Sequence, residues 1–280
     1  MPWSAGGARK GGLPVVLLAA VALLPAAYSA YVLRQAARRT TATASISPPD
    51  PLVVGRAVSS SWDGGDAERD AVPPGVLAAA AAAEQYVVAR ERVVSEAVPL
   101  WRILPGLRAG LEEEEEGEGD GARRRLLDVY LAATMRMFTW TPQALAMKLL
   151  VSRLPGGAAL AGTFATPYLD ACRFEAGDRV CGVYVVRGRV GRGGRGGERV
   201  FLDLSAPEGW KGPVVAGVLD CGFVLGEESG ESVVRFVNET VLWRRKDGKP
   251  TLLEGTVSRW LHTAMVGWMM VRGVEAVTGG

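Results

Sequence analysis

Hydrophobic and polar positions follow three different rhythms along this chain, and the changes of rhythm divide it. Residues 13–33, LPVVLLAAVALLPAAYSAYVL, form one apolar run without a charge. At about 1.5 Å per residue a helix of this length covers roughly 30 Å, one hydrocarbon core. A core helix that long carries a polar stripe, and this run has none. Pro25 is tolerated in a membrane helix. Tyr28 and Tyr31 lie near one end, where aromatic rings favour the interface. The expectation is a retained transmembrane anchor at 13–33 behind a short tail at 1–12. Two alternatives stay open: a cleaved signal peptide with Leu13–Leu24 as its apolar core and small residues at Ala27, Ser29 and Ala30 near a cut, and an organelle transit sequence, although such sequences are amphipathic.

Residues 34–75 lose the apolar pattern. TTATASISPP, SSSWDGGD and VPPG suit a flexible linker. An α+β domain is expected over 76–280, interrupted by an acidic, glycine-containing loop around Glu112–Asp120, about residues 109–122, that reads as solvated and disordered. Ala78–Ala83 favours helix, and Val-rich Tyr86–Val98 suits a strand. A 3.6-residue period then places Leu126, Leu127, Tyr130, Leu131, Thr134 and Met137 on one side of a helix over Arg123–Phe138. Thr141 and Pro142 supply an N-cap and a first-turn proline for a second helix to Val151. Its apolar side is expected at Leu145, Leu149 and Leu150, and Pro155-Gly156-Gly157 ends it.

Downstream the pattern turns to strands. Phe164–Phe174, Val180–Val190, Arg199–Leu204, Val214–Leu225 and Val233–Arg244 are rich in Val, Phe and Tyr and are punctuated by turn residues, as antiparallel hairpins are. Thr251–Val277 reads as a long helix with Val257, Trp260, Leu261, Ala264, Met265 and Trp268 on its buried face. The predicted class is α+β: an N-terminal transmembrane helix, then an antiparallel sheet packed by two middle helices and a long C-terminal helix. This order over residues 85–277 resembles the helix-grip folds of the START and Bet v 1-like group. The resemblance implies a cavity between sheet and helix suited to apolar ligands.

Charge changes the picture only at the N-terminus. The net charge of +2 predicts no nucleic-acid partner. Arg9, Lys10, Arg34, Arg38 and Arg39 all precede the first acid, Asp50, which supports a single-pass endomembrane placement such as the endoplasmic reticulum. Orientation stays open. The positive-inside count favours a cytoplasmic domain, while the Asn238-Glu239-Thr240 sequon would make Asn238 a glycosylation acceptor in a lumenal one. The three cysteines, Cys172, Cys181 and Cys221, give no disulfide framework or zinc spacing and read as small buried hydrophobes.

Candidate chemistry is sparse. His262 is the single histidine, so any Ser/His/Asp machinery would have to use it. Arg187–Glu198, RGRVGRGGRGGE, reads as a hairpin loop rather than an RNA-binding tract. No phosphate-loop, nucleophile-elbow or metalloprotease motif occurs in a suitable setting, and neither cofactor nor metal is expected. The strand polar residues Tyr168, Asp170, Tyr184, Asp203, Asn238 and Glu239 are candidates to orient a ligand. Trp243, Trp260, Trp268 and His262 are candidates to line its cavity.

Three stretches together, FTWTPQ at 138–143, GDRVCGVY at 177–184 and RFVNET followed by WRRK at 235–246, resemble uncharacterised filamentous-fungal proteins with one N-terminal membrane segment. Some of these look like accessory proteins encoded beside polyketide or polyketide–peptide synthases. The resemblance implies a membrane-anchored accessory protein of secondary-metabolite biosynthesis. Such a protein would bind a hydrophobic intermediate and assist its cyclisation by shape. The alternative is a non-catalytic scaffold or lipid-binding module that assembles partner biosynthetic enzymes at a membrane.

Overall fold

A computed structural model describes residues 30–47, 86–111, 118–191, 196–212 and 215–280. Helical residues 30–39 (α1) run into strand β1 (Thr40–Ser47). β2 (Tyr86–Ser95), β3 (Val98–Pro99), a 3-10 turn (Leu100–Arg102) and the short helix α2 (Pro105–Arg108) follow. The helical section comprises α3 (Glu118–Phe138), α4 (Pro142–Val151), α5 (Gly157–Gly162) and α6 (Thr166–Ala171). Strands β4 (Arg179–Val180), β5 (Tyr184–Gly191), β6 (Glu198–Leu204), β7 (Ala216–Glu228) and β8 (Glu231–Arg245) lead to the C-terminal helix α7 (Thr256–Thr278).

The eight strands form one antiparallel sheet in the order β1-β2-β8-β7-β6-β5-β4, with β3 pairing beside β8. Its backbone is the β7–β8 hairpin, paired from Ala216↔Trp243 to Glu228↔Glu231. Ser229 (φ 54°) and Gly230 (φ 82°) close it. Two positive φ values match the right-handed twist of the flanking strands, and Gly230 adopts its value without steric cost.

Alternation along the strands gives the sheet two different faces. The first holds Val93, Val200, Leu202, Cys221, Phe223, Val234 and Phe236, all buried in the main core with α3, α6 and α7. Leu126, Leu127, Tyr130 and Leu131 of α3 are completely buried there. The Tyr130 ring stacks on Phe236, centroids 4.3 Å apart, and its hydroxyl donates to Asn238 Oδ1 at 2.9 Å. A Cβ on Gly273 of α7 would stand 2.5 Å from Thr134 Oγ1 and 2.7 Å from the Tyr130 ring. Hence α7 approaches α3 closely because it offers no side chain at that point. The second face carries a smaller apolar cluster, Val88, Phe201, Val218 and Val241 with Val190 and Trp243, interleaved with charges.

The α+β class, the antiparallel sheet and the C-terminal helix are as the sequence predicts. Four details differ. Phe164–Phe174 contains helix α6, not a strand: Pro167 takes a first-turn position that suits its fixed φ and missing N–H. On α4 the buried residues are Ala144 and Val151, while Leu145, Leu149 and Leu150 are exposed. On α7 the buried face is Val266, Met269, Met270, Val274 and Val277, while Val257, Trp260 and Leu261 project outward. Residues 34–47, expected as linker, are the end of α1 and the edge strand β1, since Thr-rich sequence suits an edge whose side chains face water. Most of the anchor at 13–33, the helix expected at Ala78–Ala83 and residues 112–117 of the acidic loop lie outside the described residues, while the end of that loop, from Glu118, is the start of α3. Among the described residues no helix is long and apolar enough to cross a membrane.

Tyr130→Phe leaves Asn238 Oδ1 buried without its donor, and is expected to cost about 1–3 kcal/mol of unfolding free energy. Leu149→Ser, on the outward side of α4, is expected to change it by no more than about 0.5 kcal/mol. Urea unfolding of both variants checks the contrast; equal effects would mean that the two sides of α3 and α4 are misassigned.

Candidate functional site

The cavity that opens at the margin of the core has a volume of about 230 Å³. One wall is α4, through Gln143, Met147, Leu150 and Val151. The floor is the β4–β5 turn at Val183 and Tyr184, and the far wall is the end of β6 and its loop, Leu204 to Pro207, with Trp210 and Val215. Thr141 fixes the start of α4, its hydroxyl oxygen accepting from the Ala144 N–H at 3.1 Å and donating to the Phe138 carbonyl at 2.8 Å. The floor turn passes through Cys181 (φ 47°) and Gly182 (φ 72°). The Gly182 N–H donates to Thr163 Oγ1 at 2.8 Å. The Arg179 guanidinium donates to the carbonyls of Gly182 (3.0 Å) and Ser205 (3.2 Å), tying floor to far wall. Gln143, Ser205, Tyr184 and the indole of Trp210 carry the side-chain polar groups of an otherwise apolar lining. Burial pushes the Tyr184 phenol above its ordinary range, so it serves as a neutral group.

The residues nominated from sequence do not converge on this cavity. Tyr184 alone among them lines it. The Tyr168 hydroxyl donates to the Arg179 carbonyl at 2.7 Å, which makes it a brace for the floor strand. Asp170 pairs with Arg136 at 3.3 Å near the surface. Asp203 pairs with Arg187 and Trp243 joins the second-face cluster. Trp268 packs partly against the main core and Trp260 stands exposed. Asn238 is buried in a central strand and accepts from Tyr130, which leaves no room for a glycan on the folded domain. The cavity residues that sequence reading overlooked, Met147, Val183, Pro207, Trp210 and Val215, come from a helix flank and loop ends, where no periodicity marks a shared wall.

The core between helices and sheet is filled by Tyr130, Phe223, Phe236 and their neighbours. Among the described residues, the sheet–helix cavity implied by the helix-grip resemblance is not found at that position.

Two polar clusters stand apart from the cavity. His262 on α7 faces Glu91 on β2. With Glu91 ionised, Nδ1–H donates to its carboxylate at 2.5 Å. The Thr263 hydroxyl donates to the other oxygen of Glu91, which is only 1% exposed. On the second face Glu239 and Asp220 are directly opposed across β8 and β7. Arg90 pairs with Glu239 and Arg199 with Asp220. Burial raises both carboxyl groups above their ordinary values, and the neighbouring Asp220 charge raises Glu239 further.

Comparison with protein-family profiles, with curated proteins and with solved structures found no match.

The Glu239 assignment is checked by linkage. Its folded value lies above its ordinary 4.5, so the folded state holds more protons than the unfolded state in between. Its contribution is therefore full below the unfolded value and is lost as pH rises through the folded one. Glu239→Gln is expected to remove that negative slope, so that the stability difference from wild type changes with pH across this window. Parallel urea stability curves for the two proteins would show that Glu239 is not shifted.

Proposed function

We propose that this chain is a binding module for an apolar small molecule, working beside a membrane and taking one end of that molecule into the cavity under α4. The observation that carries this reading is the cavity itself: apolar walls, a few scattered polar groups and the half-open position of Leu150 on its margin. Ligand pockets for drug-sized molecules run roughly 300–1,000 Å³, so about 230 Å³ suits one ring or branched chain end. The rest of the molecule would extend past Leu150, which is 44% exposed. A polyketide-like or acyl chain has matching chemistry, a long apolar body with few oxygens. Assistance to a cyclisation would then come from shape and from hydrogen bonds to Gln143, Ser205 and Tyr184.

One observation favours a second reading. Trp140 before α4 and Leu145 and Leu149 on its outward side are 74%, 58% and 56% exposed, and such an apolar rim also suits the surface of a partner enzyme. In that reading the module is the scaffold and the cavity receives a partner side chain.

The test is binding of dodecanoic acid and of Nile red to the full-length protein by titration calorimetry and fluorescence. Met147→Trp fills the cavity and is expected to weaken both by at least about tenfold, ~1.4 kcal/mol. His262→Ala is expected to leave binding unchanged. Full binding by Met147→Trp would remove the ligand reading. Binding that is lost in Leu145→Glu/Leu149→Glu but kept in Met147→Trp would favour the rim as the contact surface.

A further inference from the structure

Helix α7 changes character halfway along. From Val266 onward its apolar residues enter the core. Before that point Val257, Trp260 and Leu261 stand 71%, 57% and 56% exposed. Their i, i+3, i+4 spacing sets them on one side of the helix. Leu252, in the turn before the helix, adds a fourth exposed apolar side chain. These groups are held outward by a formed helix that His262 and Thr263 fasten to Glu91 of β2.

The approach to this helix is basic. Arg245, Lys246 and Lys249 are exposed, and the intervening acid, Asp247, pairs with Arg245 at 3.3 Å. Glu254 is occupied by Arg244 at 2.6 and 2.8 Å. No acid occurs in the sequence from Thr256 to Val274.

The chain also enters here. α1 meets α7 at Gly267, where an added Cβ would lie 3.1 Å from Thr40 Oγ1 and 3.3 Å from Ala36 Cβ. Tyr31 is 56% exposed and lies five residues before Ala36; Trp260 lies seven before Gly267. At about 1.5 Å per residue, both are within roughly two turns of the same crossing. The sequence leading into α1, residues 13–29, is apolar and uncharged.

We propose that this end of the domain docks on an anionic membrane surface, with Val257, Trp260 and Leu261 entering the headgroup–acyl boundary and Lys246 and Lys249 facing acidic headgroups. The chemistry is that of an interfacial helix: a short apolar side containing Trp, flanked by cations that anionic lipid attracts. Tyr31, on the helix that crosses α7 at Gly267, is a further exposed amphipathic ring of the kind that interfaces favour. The inference goes beyond the ligand reading and does not rest on it, because α4 and its cavity use other residues and another exposed tryptophan, Trp140.

The experiment uses the full-length protein reconstituted in vesicles of phosphatidylcholine, with or without phosphatidylserine, brominated near the top of the acyl chains. Tryptophan emission quenched by bromine is expected to fall by about half or more in Trp260→Phe and to stay unchanged in Trp140→Phe. Lys246→Glu/Lys249→Glu is expected to reduce quenching of Trp260 only where phosphatidylserine is present. All four positions are exposed, and unchanged urea midpoints will confirm folding. Equal quenching in wild type and Trp260→Phe would overturn the proposal. So would loss of quenching in Trp140→Phe instead, which would turn α4 toward the bilayer. A dimer that Val257→Glu/Leu261→Glu converts to monomer, with no bromine quenching at Trp260, would assign the face to a second copy of the chain and overturn the proposal as well. Dodecanoic acid binding is measured on the same variants, so failure of one reading leaves the other visible.

Discussion

The fold turns on how one side chain, Tyr130, is buried. It is completely inaccessible, lies nearly flat on Phe236 and donates its hydroxyl hydrogen bond to Asn238 Oδ1. A buried phenol without an acceptor carries the desolvation cost of its hydroxyl, so Asn238 is needed inside the sheet as a partner. Burial pushes the phenol well above its ordinary value, so the donor stays protonated. Phe236 in turn neighbours Phe223 at 6.0 Å, which fixes the middle of the first face. Gly273 then admits the edge of the Tyr130 ring and lets α7 close over it. One helix, two strands and a second helix are thus set by a single aromatic ring and its hydrogen bond.

This arrangement has a consequence for function. A sheet–helix interface filled by aromatic rings leaves no room there for a ligand, and the proposed binding cavity lies at the margin instead. The core draws on α3 and the C-terminal part of α7, and it leaves apolar side chains unused on α4 and the N-terminal part of α7. Exposed single hydrophobes are ordinary on any protein. Here they occur as two groups on formed helices, one on the outward side of the helix that walls the cavity and one beside a basic loop. The surplus apolar surface is therefore organised, and each group has a different neighbour that suggests a different occupant.

Much of this was legible in the sequence where one physical rule acts alone. The α3 pattern from Leu126 to Leu131 matches its complete burial, and Thr141-Pro142 reads correctly because a capping hydroxyl and a first-turn proline are local chemistry. The β7–β8 hairpin follows from Val/Phe-rich runs around a turn. The reading failed where two rules compete. In Phe164–Phe174 aromatic residues suggested a strand, but Pro167 favoured a helix start. On α4 three leucines outweighed Ala144 and Val151, although a small residue marks the side where two elements come close. On α7 the aromatic side was taken as buried, while Gly267 and Gly273 marked the side that packs. The cavity was not legible at all. Its walls join α4, a positive-φ turn and the end of β6, and only tertiary contact brings them together.

The same contacts weigh on the question of catalysis. Glu91, His262 and Thr263 resemble the orienting half of a triad, since a buried carboxylate holds Nδ1 and leaves Nε2 for a substrate or nucleophile. A nucleophile must then lie near Nε2. Thr263 already donates to Glu91, and Ser258 donates to the carbonyls of Leu252 and Gly255. Cys172 caps the end of α6, Cys181 lies in the β4–β5 turn and Cys221 on β7; burial pushes Cys172 up to about 11 and Cys181 up to about 12, far from the thiolate form. Burial raises Cys221 as well. Among the described residues the geometry gives His262 a holding role: its hydrogen bond to Glu91 pins α7 to β2. That tie fixes the turn of α7 that carries Trp260 and Leu261, and so makes the histidine a support of the proposed membrane-facing surface.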